Sequence, residues 1–583
     1  MTSTDQPRAL DALSHGGTIA FPTSGHRNGN GSNGNGPGGN RSGAADGAEA
    51  DLTSVSLAAT STAAITPTTR FGYLFPTLVD DPANRLPEGT DADRTVAALN
   101  ALGVAMIEQG TELTALTSNS PIPSIYTFWG QFIDHDLTAN TDRNDVVSIL
   151  DTPLEPKPPA DVIAGLENLR QPALNLDPVY GDGPYAAPDS EFVPYDGIKL
   201  RIGTLSSVPA DGAPIPPVTD RARDLPRIGP MTDAAHPNPA RALIGDARND
   251  ENLILAQLHL AFLRFHNAAV DWVRANEPER TTDGDVFRRA RDLTRWAYQW
   301  ATVNDFLTTV TEPGTVDRLL ADDADLLDLS GRGTYMPLEF SVAAFRFGHS
   351  MIRGGYDWNR NHGRPGNNGE SFATFDQLFE FTGRSANPFR GAPSLPDTWP
   401  AEWDRMIDKN SQVSERFARR IDTRLSPPLA VLLNEGLDPT LSMQVRELLK
   451  QLARRNLLRG FKLSLPTGQA VADALGLPKL TAAELLANAG PAVTQALEDG
   501  EFLDRTPLWF YILAEAEIRA EGASLGPVGS TLVAATIIAQ LRNDPTSYVA
   551  QSGWSPRQGV RLADGSPVNT IAGFLRFAGV LVS

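Results

Sequence analysis

The chain has 583 residues, of which 41% are hydrophobic and 21% charged, and its formal net charge is −20 at pH 7. This composition is typical of a globular protein, and the acidic charge argues against nucleic acid or an anionic membrane surface as a partner. The sequence contains no cysteine, which excludes disulfides, thiolate metal ligands and cysteine nucleophiles.

The first 65 residues are predicted to form a disordered tail. Gly and Asn dominate residues 23–50 and no apolar residue recurs there, so burial cannot offset the entropy of ordering. Residues 1–20 lack a basic segment followed by an apolar run, and apolar stretches such as residues 532–539 are too short to span a membrane. We therefore expect a cytoplasmic protein with one domain over residues 66–583 and an oligomeric state that the sequence leaves open.

Helical periodicity dominates the chain after the tail, and alternating strand patterns are few. Pro337 two residues before Glu339 is typical of a first-turn proline and predicts that a helix begins there. The predicted fold class is mainly α, with a single large helical domain and few short strands. Its predicted helices are residues 93–109, 124–137, 249–274, 285–308, a segment opening at Pro337, 507–519 and 529–541.

A scarce histidine lies among aromatic residues in residues 126–138, which read YTFWGQFIDHDLT. Gln131 and His135 are four residues apart and share one helical face, while Asp134 and Asp136 flank the histidine. One interpretation is a helix end that exposes its carboxylates. The other is an acid–base histidine with a neighbouring amide, and carboxylates that bind a metal or are modified.

A second notable segment begins GDARNDE at residue 245. Glu251 suits the positive end of the helix that follows, whereas Arg248 opposes the helix dipole and needs an anionic partner or a substrate to polarise. His259 and His266 follow at a spacing of seven residues. Packing accounts for both histidines better than a metal site does.

Two later segments complete the set of candidate residues. Residues 344–356 read AFRFGHSMIRGGY, with His349 three residues after Arg346 and with Gly348 permitting close approach to the backbone. Residues 454–469 read RRNLLRGFKLSLPTGQ and carry Asn456 and Arg459 three residues apart.

These segments together resemble the animal-type haem peroxidases of the peroxidase–cyclooxygenase superfamily, and bacterial members in particular. The distal helix of that family is similar to WGQ-x-x-D-H-D, its distal arginine segment to GDAR-x-x-E, and its proximal-histidine helix to FRFGH. The downstream segment of bacterial members resembles RN-x-x-RG and LP-x-GQ. The matches occur in family order from about residue 71 to residue 582, nearly the whole chain after the tail.

On the distal side, the resemblance implies three catalytic residues. His135 would take a proton from peroxide and return it to the departing hydroxyl. Arg248 would stabilise the negative charge that develops as the O–O bond breaks, and Gln131 would line the distal cavity.

On the proximal side, the resemblance implies haem b as the cofactor. His349 would ligate the haem iron, and Asn456 would accept the outer N–H of that histidine. Arg346 and Arg459 would pair with the haem propionates. Asp134 and Glu251 occupy positions at which mammalian members ester-link the haem, so a covalent haem is an open alternative.

The resemblance also implies a calcium site beside the distal histidine. Asp136 matches one calcium ligand, and the partner loop reads QPALNLDPVYG. Calcium requires several hard oxygen ligands. A retained but altered site and a site replaced by hydrogen bonds both remain open. The candidate ligands in the loop are Gln171, Ala173, Asn175 and Asp177.

The predicted function is a peroxidase that reduces hydrogen peroxide with electrons from a phenol, another organic donor or a halide. A fatty-acid dioxygenase of the cyclooxygenase branch is the alternative, but its radical-forming tyrosine would stand at the position of Arg346. A non-catalytic haem-binding protein is a third interpretation, opposed by the intact set of His135, Arg248 and Gln131.

Overall fold

The computed structural model describes residues 70–109, 118–139, 148–181, 183–184, 193–207, 212–229, 239–321, 335–363, 372–433, 435–436 and 439–581. The predicted tail, residues 1–65, lies outside these residues. Over the described part, α-helices supply most of the regular structure. They are α1 (Pro76–Val79), α2 (Ala92–Ala105), α3 (Ile125–Leu137), α4 (Pro159–Gly165), α5 (Asp177–Tyr180), α6 (Leu253–Asn276), α7 (Asp283–Ala301), α8 (Thr308–Val310), α9 (Thr315–Ala321), α10 (Phe375–Glu380), α11 (Asp404–Ile407), α12 (Met443–Lys450), α13 (Leu452–Lys462), α14 (Gly468–Ala474), α15 (Ala482–Asn488), α16 (Pro491–Asp499), α17 (Leu508–Ala520), α18 (Pro527–Asn543) and α19 (Ile571–Phe577).

The strands of the described residues are short and pair two by two. One pair is parallel and three are antiparallel. They are β1 (Phe71–Gly72) with β5 (Met336–Pro337), β2 (Asn119–Pro123) with β8 (Phe417–Arg419), β3 (Tyr195–Asp196) with β4 (Lys199–Leu200), and β6 (Gly355–Tyr356) with β7 (Ala373–Thr374). The mainly α fold class with few short strands is therefore confirmed.

Six predicted helices are present with shifted ends. Residues 93–109, 124–137, 249–274, 285–308, 507–519 and 529–541 correspond to α2, α3, α6, α7, α17 and α18. α7 continues into a π-helical turn at Thr302–Leu307 before α8. A 3-10 turn at Ala247–Asp250 precedes α6, whose own start is capped by the Asn252 side chain, which accepts from the Leu255 N–H.

The predicted helical segment at Pro337 is present, but it begins just after Pro337, which is therefore not its first-turn proline. Pro337 is the last residue of the two-residue strand β5. The other residue, Met336, donates its N–H to the Arg70 carbonyl at 3.0 Å. Helical turns begin only after it, as a π-helical turn at Glu339–Ala343 and a 3-10 segment at Ala344–His349. The Glu339 carboxylate accepts a hydrogen bond from the Leu74 N–H at 2.8 Å, which joins this segment to the residues that follow β1.

The long helix α6 forms the centre of the core. It is the only helix of the described residues that is long and apolar enough to cross a membrane, and 83% of its most apolar window is buried inside the protein. α3 packs on it through aromatic rings, with Phe132 and Phe262 stacked at 4.1 Å between centroids and nearly parallel. Trp129 contacts Phe262 and also the Phe574 ring of α19. This packing fixes the rotation of α3 about its axis.

Glu339 makes the stability of the fold depend on pH. Burial raises the pKa of this carboxyl from 4.5 to about 7, so the folded protein holds its proton more tightly than the unfolded chain. The resulting stability is fully present below about pH 4.5 and is lost as the pH rises through about 7. Glu339→Gln keeps an acceptor oxygen but cannot ionise. We expect its urea concentration at the unfolding midpoint to fall less steeply than that of the wild type between pH 4.5 and about 7.

The exposed Glu279→Gln is the matched control and should leave the slope unchanged. Burial raises the pKa of Glu515 to about 7 as well, so part of the slope will persist in the Glu339 variant. A Glu339→Gln slope equal to that of the wild type would contradict the assignment.

Candidate functional site

One cavity brings together residues from two predicted motifs. It lies between α3 and the segment that follows Ala344 and is partly open to solvent. Both His135 and His349 line it, and we call it the histidine cavity. Its other lining residues are Tyr126, Thr127, Gly130, Gln131, Asp134, Phe345, Arg346, Phe347, Gly348, Met351 and Ile352.

The aromatic packing of α3 accounts for which residues face this cavity. Trp129 and Phe132 are buried against α6 and α19, so the residues on another side of α3 are left to face the Ala344–His349 segment. Gln131 and His135 are among them, as their spacing of four residues predicts. Asp136, next to His135, points away from the cavity and is fully buried.

His135 is held by an amide that the sequence analysis did not identify. Its Nδ1 lies 2.7 Å from Oδ1 of Asn249, and Nδ2 of Asn249 lies 2.9 Å from Nδ1 of His259. Because an amide oxygen only accepts and an amide N–H only donates, Nδ1 of His135 carries a proton and Nδ1 of His259 does not. The Nε2 atom of neutral His135 therefore has the lone pair that a base requires.

His259 is the last residue in this chain of hydrogen bonds. It is fully buried in α6, and burial lowers its pKa to about 3, so the ring is neutral and can accept at Nδ1. Packing was the predicted role of both His259 and His266. His266 is also buried, between Tyr180 and the Ile198 carbonyl.

Arg248 lies beside His135 but is not among the residues that line the histidine cavity. Its Nη2 donates to the Thr138 carbonyl at 2.6 Å and to the His135 carbonyl at 3.2 Å. Because Arg248 opposes the helix dipole, the sequence predicted an anionic partner for it. That partner is Asp246, whose Oδ2 lies 2.8 Å from Nη2 of Arg248. Burial acts to raise the pKa of Asp246, but Arg248 and Arg170 outweigh it and hold that pKa below its ordinary range.

The two candidate ester carboxylates differ in placement. Asp134 lines the histidine cavity and accepts from the Thr138 hydroxyl at 3.1 Å. Glu251 is buried outside the lining and accepts from the Gln131 amide at 2.7 Å. Gln131, which lines the cavity, thus lies against the Glu251 carboxylate.

His349 and Asn456 form the predicted pair, but the hydrogen bond runs in the opposite direction. Nδ2 of Asn456 lies 2.8 Å from Nδ1 of His349, so the amide donates. The reason is Arg346, which can only donate and places its Nη1 3.0 Å from Oδ1 of Asn456. The predicted acceptance of the His349 N–H requires the amide to turn over and Arg346 to find another acceptor.

Positive charge is concentrated beside His349. Burial lowers the pKa of Arg346 to about 9, and the neighbouring Arg459 guanidinium adds to that effect, while Asp134 opposes it. A buried guanidinium that lines the cavity and is influenced by a second positive charge favours an anionic ligand. The pairing of Arg346 and Arg459 with carboxylates of a cofactor stays a prediction.

The predicted calcium loop lies against Asp136, as expected. Oδ2 of Asp136 accepts from the Leu176 N–H at 3.2 Å, and burial and the charge of Asp177 raise the pKa of Asp136 well above its ordinary value. The Asn175 amide donates to the Gln171 side chain at 3.1 Å, and the Ala173 N–H to the Gln171 carbonyl. In the described residues, no group of three or more His, Cys, Asp or Glu side chains could hold a metal ion. The calcium site stays a prediction.

The comparisons with known proteins agree with this geometry. Residues 199–538, more than half of the chain, match the animal haem peroxidase family. The chain therefore belongs to the animal haem peroxidase family, whose members are haem-dependent oxidoreductases.

Three relatives illustrate the similarity. A "Peroxidase-like protein" of Margaritifera margaritifera is 28% identical over 291 residues, which are 46% of this chain and 36% of that protein. "Heme peroxidase 2" of Caenorhabditis elegans is 27% identical over 142 residues, 23% of this chain and 20% of that protein. The chain thus matches less than half the length of these curated relatives. Peroxidase A of Dictyostelium discoideum shares the fold, with a TM-score of 0.54 at 16% identity over 89% of this chain and 94% of that one.

The role of Asn249 gives a spectroscopic prediction. In [15N]histidine-labelled ferrous–CO protein, we expect His135 and His259 to be opposite neutral tautomers, Nδ1–H and Nε2–H respectively. Asn249→Leu, similar in volume, removes both hydrogen bonds and should leave His135 as a mixture of tautomers. Asn267→Leu, which removes bonds to the Leu200 backbone, is the control and should leave both signals in place. Unaltered His135 nitrogen shifts in Asn249→Leu would show that the amide does not set the tautomer.

Proposed function

We propose that the protein is a haem-dependent peroxidase that reduces hydrogen peroxide and oxidises a phenolic, other organic or halide donor. The observation that carries this proposal is the histidine cavity, which both His135 and His349 line. Family membership supports the reaction class.

The residues around the cavity fit a haem. His349 would supply an imidazole of the kind that ligates haem iron, provided that the Asn456 amide turns over and accepts from its Nδ1, which leaves Nε2 for the iron. Arg346 and Arg459 would supply cations for propionates. Gly348 leaves open space where a Cβ would stand, on the cavity side of the same segment. The absence of cysteine excludes thioether attachment and a thiolate ligand, so the fitting cofactor is haem b. When bound, the haem supplies the iron that exchanges electrons with peroxide.

His135 would act as the acid–base residue at Nε2. Its Nδ1 proton is committed to Asn249, so the Nε2 lone pair is available to take a proton from peroxide and later return it to the departing hydroxyl. Asn249 and His259 do not exchange protons in this scheme. They hold the ring in one tautomer and one orientation.

Arg248 and Gln131 would assist on the same side. Arg248 is fixed to the backbone carbonyls of His135 and Thr138, which keeps its positive charge next to the distal histidine. Because Arg248 does not line the histidine cavity, it would stabilise the charge developing on the peroxide oxygens through its field and not by contact. Gln131 would contact peroxide or a small anion within the cavity.

A pair of histidine variants tests the two assigned positions. We expect His349→Ala to lose stable haem binding, because the iron ligand is removed. We expect His135→Ala to keep the haem while peroxide-dependent loss of the Soret band slows by about 10²–10⁴-fold, the usual contribution of a positioned acid–base group. Stopped-flow absorbance and haem content measure the two effects.

His266→Gln, a buried histidine outside the cavity, is the control and should preserve both properties. A His135→Ala protein that reacts with peroxide at the wild-type rate would refute the distal assignment. Fatty-acid-dependent oxygen uptake without added peroxide would favour the dioxygenase instead.

The different placement of the two carboxylates predicts the outcome of acidic butanone extraction. Only Asp134 lines the cavity, so any haem that resists extraction should be linked through it. We expect Asp134→Asn to make all of the haem extractable and Glu251→Gln to leave the extractable fraction unchanged. Release of resistant haem by Glu251→Gln alone would contradict the placement of that carboxylate.

A further inference from the structure

Tyr126 lies between the histidine cavity and a second cavity. It stands near the start of α3, is 1% exposed, and lines both spaces. The second cavity has a volume of about 440 Å³, is partly open to solvent and is bordered by Lys409, whose side chain is half exposed; we call it the Lys409 cavity. A single buried side chain thus connects the proposed haem site with a space near the surface.

The phenol of Tyr126 is hydrogen-bonded to a buried carboxylate. Its hydroxyl donates to Oδ1 of Asp305 at 2.7 Å, and the other oxygen of Asp305 accepts from the Ile571 N–H at 2.9 Å. Asp305 is held in place by these two bonds on the π-helical turn Thr302–Leu307. Loss of an electron from a phenol makes its hydroxyl a strong acid, and the proton then needs an acceptor already in contact. Asp305 is such an acceptor.

Lys409 places its positive charge beside both Asp305 and the Tyr126 ring. Its Nζ donates to the same Asp305 oxygen at 2.9 Å and lies 5.0 Å from the centroid of the Tyr126 ring. A cation near the ring face stabilises the π electrons, so the ring is harder to oxidise and, once oxidised, is a stronger oxidant. Such a radical can take an electron from a second phenol.

The lining of the Lys409 cavity suits a neutral aromatic donor. Ile407 and Leu581 offer apolar contact, while Asp404 and Asp408 offer carboxylate oxygens that can accept a hydrogen bond from a hydroxyl group. Arg416 borders the cavity but is already paired with Asp357 at 2.6 Å. Carboxylates and cations are mixed, so the cavity favours neither a large anion nor a large cation.

We propose that Tyr126 is a redox-active residue through which a phenolic donor in the Lys409 cavity reduces the peroxide-oxidised haem. The inference rests on the proposed function. In each cycle Tyr126 gives one electron to the oxidised haem and its phenolic proton to Asp305. The donor then gives one electron to Tyr126, Asp305 returns the proton, and the donor's own proton passes to solvent. Two such cycles consume one hydrogen peroxide and two phenols and yield two waters and two phenoxyl radicals.

The first test is electron paramagnetic resonance of holoenzyme frozen after peroxide addition. We expect an organic radical signal that narrows when the protein is made with ring-deuterated tyrosine. Tyr126→Phe should abolish this signal, and Tyr511→Phe, a buried tyrosine of α17 that accepts from the Leu480 N–H, should preserve it. Absence of the signal in the wild type, or its persistence in Tyr126→Phe, overturns the proposal.

The second test compares donors of different size. The kcat/KM of a bulky substituted phenol relative to that of iodide should fall about tenfold or more in Tyr126→Phe, because iodide is small enough to reach the histidine cavity itself. Ala572→Trp narrows the Lys409 cavity and should raise the KM of the phenol relative to that of iodide. Equal changes for both donors in both variants overturn the donor site.

The two tests separate this inference from the proposed function. A wild-type holoenzyme that turns over no donor with peroxide refutes the peroxidase itself. A wild-type enzyme that oxidises both donors, with an unaltered radical and an unaltered donor ratio in Tyr126→Phe, refutes only the role of Tyr126.

Discussion

The parallel stacking of Phe132 on Phe262 is the contact on which the arrangement of the site depends. With ring centroids 4.1 Å apart, it sets α3 against α6 in one rotation and one depth. His135 then faces the histidine cavity, and the turn that leads into α6 carries Asn249 to within hydrogen-bond reach of it. A buried aromatic stack of this kind stabilises the folded protein by about 0.5–1.5 kcal/mol beyond the contribution of the surface area that it buries. Here its specific geometry matters more than its energy.

Buried charge is treated differently on the two sides of the cavity. On the side of α6, Arg248 and Arg170 share the Asp246 carboxylate, so the cations are compensated within the protein. Beside His349, the pKa of Arg346 falls to about 9 because burial and the charge of Arg459 both disfavour its cationic form. An anionic cofactor edge at this position would relieve that cost, which gives the proposed haem site an electrostatic reason for its place.

The sequence predicted which residues meet but not how their polar atoms pair. Helical spacing placed Gln131 and His135 on one face, and the motifs brought His349 and Asn456 together. The direction of the Asn456 hydrogen bond was not predictable, because it depends on Arg346 reaching Oδ1 of the amide from another segment. Pro337 misled for a similar reason: a proline preference for first turns is local, whereas the pairing of Met336 with Arg70 is not.

The residues that sequence analysis missed share one property. Asn249 adjoins Arg248 in the GDARNDE segment, and Tyr126 begins the WGQ segment, yet neither stands at a spacing that predicts a role. Their partners, His259 for the one and Asp305 for the other, lie 10 and 179 residues away along the chain. Only the packing of α3, α6 and the π-helical turn brings these side chains together.

The most direct test of the account is a pyridine haemochrome spectrum of the purified protein, followed by one equivalent of hydrogen peroxide with the Soret band monitored. We predict a haem b spectrum, a rapid peroxide-dependent change of the Soret band, and reversal of that change by a phenol without oxygen uptake. A protein that binds no haem, or whose haem spectrum does not respond to peroxide, would contradict it.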